Sequence, residues 1–480
     1  MNVQQAVEYD VIVVGGGGAG LCAAITAADA GARVALLEAG RRVGGSTALA
    51  GGYVLAGGTA QQRAMGIEDS PEGMLGYIRE RNGATIPEDV ARRVCEEAPR
   101  MLEWLGEIGV DFPPERLVSP NGRMLARAHE PVGFGAKIVE RLDYELSRRA
   151  VDLACNTRVE ELALAADGSV CGVRIGSDTI TSRAVVLACG GIGGDPVLLN
   201  RMLPKSRRVG DWRWHVGCES NRGDGLRMAE ALGARIAGED SALLLSSPNF
   251  HHDLEVIGPD WVLMVNADGQ RIVREDGAYW EVSEALEAQA DPRGFCIFDH
   301  ALMLGAEPDA RVLEALAQGT VTLSWIPRVL QEQLERGRVL AAPSIASLAA
   351  KAALDPIALD GAVARYNALA AFGQDTDFGK ASRCLKPIVT PPFYAVEVRP
   401  SIVIVTGAGP AIDGHARVER AGGGVVPGLY AAGEVTGDVY GRYYVGSGYA
   451  IASALSLGRI AGREAAGMAL SLRGTTGERA

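Results

Sequence analysis

The chain has 480 residues, which suits two or three domains, and its 48% hydrophobic and 22% charged residues are typical of a folded globular protein. Its 47 basic and 59 acidic side chains give a net charge of −12 at pH 7, which argues against nucleic acid or an acidic lipid surface as a partner. The sequence contains no run of about 18 uncharged apolar residues, so no membrane insertion is expected.

The eight cysteines show neither CxxC spacing nor a histidine at metal-ligand spacing. The sequence therefore predicts reduced thiols and no metal site. The opening residues reach Glu8 and Asp10 before any basic side chain, unlike the start of a secretory signal. Together these features predict a cytoplasmic protein.

The clearest local pattern lies near the start of the chain. Residues 10–14 form an apolar, β-branched run that is typical of a strand buried on both faces, and residues 15–20 are almost all glycine. An alanine-rich helical stretch follows at 21–30, and residues 33–38 are typical of a second strand that ends in Glu38. The order strand, glycine turn, helix, strand and acid predicts a dinucleotide-binding βαβ unit.

The glycines of this turn each meet one structural requirement of such a unit. Gly15 permits the tight turn, Gly17 lets the backbone approach a pyrophosphate, and Gly20 lets the helix pack closely on the strand. The start of the helix then presents unpaired N–H groups to the phosphates. Glu38, 18 residues after Gly20, is expected to bind ribose hydroxyls.

The rest of the chain alternates between helical and strand patterns. In chain order we predict a second glycine-rich loop (44–52), two helices (86–109 and 136–150) and short strands around a hairpin turn at Asp167-Gly168 (156–191). An inserted mixed region (241–385), a further strand with a glycine turn (428–434) and a last helix (450–466) follow. The predicted fold is α/β, a Rossmann-like domain (1–240 and 386–480) with an inserted α+β capping domain for substrate (241–385).

Five motifs in this order resemble the flavoprotein family of fumarate reductase, succinate dehydrogenase and the 3-ketosteroid dehydrogenases. They are 10–20 with Glu38, Gly44-Gly45-Ser46-Thr47 with Gly51-Gly52, Ala188-Cys189-Gly190-Gly191, Gly223-Asp224-Gly225, and Ala431-Ala432-Gly433-Glu434-Val435-Thr436-Gly437. The resemblance covers nearly the whole chain. It implies an FAD cofactor and a reaction that interconverts a C–C single bond and a C=C bond beside an electron-withdrawing group.

The resemblance also implies the cofactor residues. Glu38 is expected to hold the adenosine ribose, Glu434 the ribityl chain, and the backbone of Val159 the adenine. The full set is Gly15, Gly17, Gly18, Ala19, Gly20, Glu38, Ala39, Ser46, Thr47, Gly51, Gly52, Val159, Ala188, Gly190, Asp224, Gly433, Glu434, Ser447, Ala450 and Ile451. Disulfide reductases share the first motif, but the missing CxxC excludes them.

Within the family, the substrate positions separate two chemistries. Where fumarate reductases carry a proton-delivering arginine and a carboxylate-binding arginine, this chain has Tyr279 and Tyr444, and no histidine follows Pro400. A dicarboxylate would be poorly held without cationic partners. The same two tyrosines match the 3-ketosteroid dehydrogenases, whose glycine loop corresponds to 444–448.

This match implies a desaturase that introduces a C=C bond next to a ketone, in a 3-oxosteroid or a smaller cyclic ketone. Tyr279 is expected to remove the α-proton, and Tyr444 and the N–H of Gly448 to bind the carbonyl oxygen. An external electron acceptor, a quinone or similar, would reoxidise the flavin. The neighbouring Tyr440, Tyr443 and Tyr449 could exchange roles with Tyr444.

Several alternatives remain open from the sequence. The chain could be a reductase of an activated C=C bond, of the fumarate or urocanate type, or a flavin-binding protein without desaturase chemistry. A keto acid could be held by Arg442 or Arg399, and His251 and His252 could line a substrate entrance or a solvated loop. A further tyrosine that assists the base in ketosteroid enzymes has no obvious counterpart in 104–130.

Overall fold

The computed structural model describes residues 7–119, 124–251, 258–307, 313, 316–317 and 324–476. The strands are, in chain order, β1 (Tyr9–Val14), β2 (Val34–Leu37), β3 (Val54–Leu55), β4 (Leu117–Val118), β5 (Ala128–His129), β6 (Val151–Ala154), β7 (Glu161–Leu164), β8 (Val170–Ile175), β9 (Asp178–Leu187), β10 (Trp214–His215), β11 (Ile236–Ala237), β12 (Ala242–Ser247), β13 (Leu263–Asn266), β14 (Gly294–Asp299), β15 (Val339–Ala342), β16 (Phe393–Thr406), β17 (Gly409–Pro410), β18 (Arg417–Glu419) and β19 (Val425–Ala431).

The helices are α1 (Gly18–Asp29), α2 (Gly45–Leu49), α3 (Ala60–Ala64), α4 (Pro71–Asn82), α5 (Glu88–Glu107), α6 (Phe134–Ser147), α7 (Pro196–Met202), α8 (Asp224–Ala231), α9 (Tyr279–Glu287), α10 (His300–Leu304), α11 (Pro327–Glu335), α12 (Ile345–Ala352), α13 (Pro356–Phe372) and α14 (Tyr449–Thr476). Among the helices in the described ranges, none is both long and apolar enough to cross a membrane.

The chain divides into two compact units. The first contains Met1–Leu203, Gly217–Ala242 and Val405–Ala480, and the second contains Pro204–Val216 and Leu243–Ile404. The second unit therefore continues past the predicted bound at 385, because β16 pairs with β14 and β15. It also takes in 204–216, because β10 pairs with β16.

The first unit is built on a mainly parallel sheet with the strand order β18-β19-β9-β1-β2-β6. β1 is parallel to β2 and β9, and β9 is parallel to β19, so these strands all end at the same edge of the sheet. The interior of β1 is completely buried, as its apolar sequence predicts. In a sheet of this kind, ligands bind beyond the carboxyl ends of the strands.

Helices α1 and α14 cross at very short distance on this sheet. A Cβ atom built on Gly458 would lie 2.3 Å from the carbonyl oxygen of Ala19, and one on Gly462 would lie 2.3 Å from that of Ala23. Only glycine permits such an approach, because any side chain would collide with the backbone of α1. The two glycines, one turn apart, therefore fix α14 against the first helix of the chain.

The second unit has its own sheet and its own core. β16 is its central strand and pairs with β10, β12, β14 and β15, while β13 pairs with β14. Helices α12 and α13 bury apolar side chains on one side of this sheet, among them Leu348, Leu359 and Val363. A separate apolar cluster includes Phe298, Leu330 and Val396. This α+β composition agrees with the fold expected for the inserted region.

Candidate active site

The turn between β1 and α1 has the geometry that its glycines predict. Gly15 has φ +104°, and a Cβ on this residue would lie 2.4 Å from the carbonyl oxygen of Ala188. A Cβ on Gly20 would lie 1.8 Å from the carbonyl oxygen of Gly15, so α1 packs directly on its own turn. The N-cap of α1 is Gly17, which carries no side chain to cap the first N–H groups.

This turn is open on the side where a phosphate would approach. A Cβ built on Gly17 meets no atom within 4 Å, so the backbone there borders open space. The first turn of a helix attracts negative charge through its unpaired N–H groups and its dipole. The predicted residues Gly17, Gly18, Ala19 and Gly20 therefore fit the pyrophosphate of FAD.

The second glycine loop is joined to the first. The N–H of Gly44 donates to the carbonyl oxygen of Gly16 at 2.8 Å. The hydroxyl of Thr47, in α2, accepts from the N–H of Gly18 at 3.3 Å. The two motifs identified separately in the sequence thus form one backbone assembly, and Gly51 and Gly52 follow α2 in the chain.

Glu38 lies directly beyond β2 and is buried. Its carboxylate accepts from the N–H of Gly16 and from that of Gly40, each at 2.6 Å. These bonds hold the carboxylate between the glycine turn and Gly40, which directly follows the predicted residue Ala39. Each carboxylate oxygen can accept a second hydrogen bond, so the position suits the hydroxyls of a ribose.

Glu434 follows β19 and is at the centre of a polar network, in which it is partly exposed while Thr406 and Asn221 are buried. One carboxylate oxygen accepts from the N–H and the hydroxyl of Thr406, both at 3.0 Å. The other accepts from the amide of Asn221 at 3.0 Å, and the same amide donates to the hydroxyl of Ser46 at 3.2 Å. The predicted residues Glu434 and Ser46 are therefore connected through Asn221, which the sequence analysis did not identify.

Burial has a strong effect on this carboxyl group. It raises the pKa of Glu434 to about 7, and the hydrogen bonds from Thr406, Gly191 and Asn221 act in the opposite direction. The donors around the group are neutral, so the negative charge is stabilised only by hydrogen bonds. Glu434 therefore changes its charge close to neutral pH.

This raised pKa predicts a pH-dependent stability of the FAD-free protein. Because the folded state holds the proton more tightly than the unfolded state, the contribution of Glu434 to the free energy of unfolding falls as pH rises from its ordinary pKa to about 7. Relative to Glu434→Gln, we expect the wild type to lose about 3 kcal/mol between pH 5 and pH 8. Urea denaturation at several pH values measures the difference.

The exposed Glu140 provides a control for this experiment, since Glu140→Gln should shift the denaturation midpoint equally at each pH. Parallel pH profiles for the wild type and Glu434→Gln would contradict the role of this carboxyl group.

The segment before α14 carries the two predicted carbonyl-binding groups. The hydroxyl of Tyr444 accepts from the N–H of Ala450 at 3.2 Å, in the first turn of α14. The carbonyl oxygen of Gly448 accepts from Leu55, in β3, at 3.2 Å. A Cβ on Gly448, which has φ +92°, would lie 2.7 Å from the Leu55 nitrogen, so this approach requires glycine. Ser447 lies in the turn before α14, and Ala450 and Ile451 lie in the first turn of this helix.

The three neighbouring tyrosines have different environments. Tyr440 is buried and hydrogen-bonded to Ser453, and burial raises its pKa well above the ordinary value. Tyr449 is completely buried, and its hydroxyl has no partner among the described residues. Tyr443 is 41% exposed, and its ring lies beside the guanidinium groups of Arg81 and Arg442. Tyr444 differs from these three in that its hydroxyl accepts from the backbone N–H of Ala450.

Tyr279 belongs to the second unit, where it is the first residue of α9. Its ring meets the ring of Trp280 edge to face, with centroids 4.8 Å apart. The stretch before it is anchored by Glu275, which is buried and forms ion pairs with Arg271 at 2.8 Å and Lys380 at 3.2 Å. The backbone that leads to Tyr279 is therefore held by a buried charge network.

The other predicted residues follow strands of the first unit. Ala188 and Gly190 come after β9, Gly433 comes after β19, and Val159 is buried beyond β6. Asp224, at the start of α8, forms an ion pair with Arg158 at 2.7 Å, so its carboxylate has a protein partner. His252, named for a substrate entrance, lies outside the described residues.

Comparisons with known proteins agree with this geometry. The family model described as FAD binding domain matches residues 10–451. The chain is 31% identical to the fumarate reductase (cytochrome) of Shewanella frigidimarina, over 95% of this chain and 77% of the relative. It is 30% identical to the urocanate reductase of Eggerthella lenta, over 96% of this chain and 75% of the relative. A solved 3-ketosteroid-delta4-(5alpha)-dehydrogenase of Rhodococcus jostii is 27% identical, with TM-score 0.76 and coverage of 97% and 98%.

These matches confirm the predicted family, the α/β fold with an added capping domain, and FAD as the cofactor. The chain belongs to the FAD binding domain family and is an FAD-dependent oxidoreductase related to the fumarate reductases.

Proposed function

We propose that this protein is a ketone desaturase that introduces a C=C bond next to the carbonyl group of a 3-oxosteroid or a smaller cyclic ketone. The observation that carries the proposal is the hydrogen bond between the Tyr444 hydroxyl and the N–H of Ala450. It fixes a neutral phenol at the start of α14, where a dicarboxylate reductase requires a cation. A phenol suits a ketone oxygen far better than a carboxylate.

Each proposed residue has a defined role. The Tyr444 hydroxyl and the N–H of Gly448 donate to the carbonyl oxygen, and their stabilising effect grows as negative charge develops there. Tyr279 accepts the α-proton, and because a phenol has a pKa near 10 it needs assistance to act as a base. Bound FAD supplies the acceptor for the hydride that leaves the neighbouring carbon.

The second candidate is a reductase of an activated C=C bond. It is favoured by the names of relatives that are 30–31% identical, the fumarate and urocanate reductases. Those names describe the relatives, and this chain has Tyr279, Tyr444 and an aliphatic residue at the polar positions of fumarate reductases. A carrier protein that binds flavin without this chemistry is a third possibility.

The partners follow from the reaction. We propose a quinone or a similar external oxidant as the electron acceptor, because each turnover leaves two electrons on the flavin. All eight cysteines are free thiols. Free thiols suit a reducing compartment, and we therefore propose a cytoplasmic location.

A substrate panel separates these candidates. Saturated or partly saturated 3-oxosteroids and cyclohexanones should bleach the oxidised flavin in anaerobic stopped-flow experiments, whereas succinate should not. Fumarate should reoxidise the reduced flavin slowly. If fumarate reoxidises it faster than any cyclic ketone reduces the oxidised form, the reductase candidate is correct. Bound flavin that none of these compounds changes would favour the carrier.

A further inference from the structure

The segment 442–445, which carries Tyr444, is bound by the end of helix α4. The side-chain amide of Asn82 donates to the carbonyl oxygen of Tyr443 at 2.7 Å, and the N–H of Tyr443 donates back to the Asn82 amide oxygen at 2.9 Å. One buried side chain thus pairs with both backbone groups of one residue, as a neighbouring strand would.

Two more side chains of α4 bind the next residues of the segment. Arg81 donates through Nε to the carbonyl oxygen of Tyr444, and the hydroxyl of Tyr77 donates to that of Val445. Just beyond the helix, the hydroxyl of Thr85 accepts from the N–H of Arg442. Irregular backbone usually leaves such groups to water, but here protein side chains bind four consecutive residues.

The side chain of Tyr444 is held by a different element. Its hydroxyl is bonded to Ala450 in α14, and the carbonyl oxygen of Gly448 is bonded to Leu55 in β3. The backbone of Tyr444 is therefore fixed to α4 while its oxygen is fixed to α14. A hydroxyl that binds an oxyanion requires such rigid support, since misplacement of the hydroxyl by about 1 Å can lower the rate about 10²-fold.

We propose that Asn82, with Arg81 and Tyr77, is a positioning residue for Tyr444. These residues hold the backbone so that the Tyr444 hydroxyl meets the substrate carbonyl. The inference rests on the proposed function for its catalytic consequence, but the physical restraint on 442–445 can be measured without any substrate. The proposal gives these residues of α4 a role that acts through Tyr444.

The catalytic test is a double-mutant cycle in the holoprotein. Asn82→Ala should slow flavin reduction by a cyclic ketone about 10- to 100-fold. In a Tyr444→Phe background the same change should cost less than about threefold, because Asn82 acts through Tyr444. Equal losses in both backgrounds would overturn the proposal. Arg79→Gln is the matched control, since Arg79 lies on α4 and pairs with the exposed Glu72 and Glu88.

The physical test is hydrogen–deuterium exchange in the FAD-loaded protein. Asn82→Ala removes the acceptor of the Tyr443 N–H, so a peptide covering 440–448 should exchange at least about tenfold faster, and Arg79→Gln should leave it unchanged. Unchanged exchange in Asn82→Ala would overturn the proposal even if every ketone is inactive. If no ketone reduces the flavin but exchange rises, the proposed function fails and the restraint stands.

A milder variant protects the test against a folding defect. Tyr77→Phe removes one oxygen and keeps the ring beside Arg127. If Asn82→Ala does not fold, Tyr77→Phe should still raise exchange in 440–448, and no increase there would overturn the proposal.

Discussion

Changing Tyr279 to phenylalanine is expected to slow reduction of the flavin by a cyclic ketone about 10²- to 10⁴-fold, while FAD stays bound. The substitution removes the proposed base but keeps the ring, whose edge-to-face contact with Trp280 orders the start of α9. Anaerobic stopped-flow bleaching of the flavin measures the rate, and the flavin released on denaturation measures cofactor content.

The control for this variant comes from the same unit. Tyr394 is buried, and its hydroxyl pairs with Nδ1 of His300 at 3.0 Å, so Tyr394→Phe also removes a hydrogen-bonded phenol oxygen. This control should change the rate less than about twofold. An unchanged rate in Tyr279→Phe would exclude Tyr279 as the base.

The second large effect is expected at Tyr444. Tyr444→Phe removes the hydroxyl that accepts from Ala450 and that we propose as the donor to the substrate carbonyl, so flavin reduction should slow by about 10²- to 10³-fold. The loss should appear mainly in kcat, because the hydroxyl acts most strongly on the charge that develops during the reaction. Steady-state kinetics with a fixed electron acceptor provides kcat and KM.

The neighbouring tyrosines provide the controls. Tyr443→Phe changes an exposed side chain, and Tyr440→Phe changes a buried one that is bonded to Ser453. Both should retain nearly the wild-type rate. If one of them is slow and Tyr444→Phe is not, the carbonyl donor is that residue and the alignment of this loop is shifted.

The parts of the fold that depend on short sequence patterns could be predicted. Residues 10–38 combine a buried apolar strand, a glycine turn and a helical stretch, and the structure has β1, α1 and β2 there. The last helix was expected at 450–466, but α14 continues to Thr476, because Gly467 resembles a helix end and does not act as one.

The supporting residues could not be predicted, because their partners lie far away in the chain. Asn221 binds Glu434 from a loop and Thr406 from the end of β16, and nothing in the local sequence around them indicates a carboxylate partner. Asn82 is one polar residue at the end of a helix, where asparagine is common for unrelated reasons. Of these residues, only Asn221 lies close to a motif of the sequence analysis, two residues before Gly223-Asp224-Gly225.

The contact of Gly458 and Gly462 with α1 also has a consequence for the order of folding during synthesis. The ribosome completes α1 early, but the surface that covers it is translated only after the whole second unit. At about 5–20 residues per second, this interval lasts on the order of tens of seconds. During that time the apolar face of α1 lacks the cover of α14 and is exposed to chaperones.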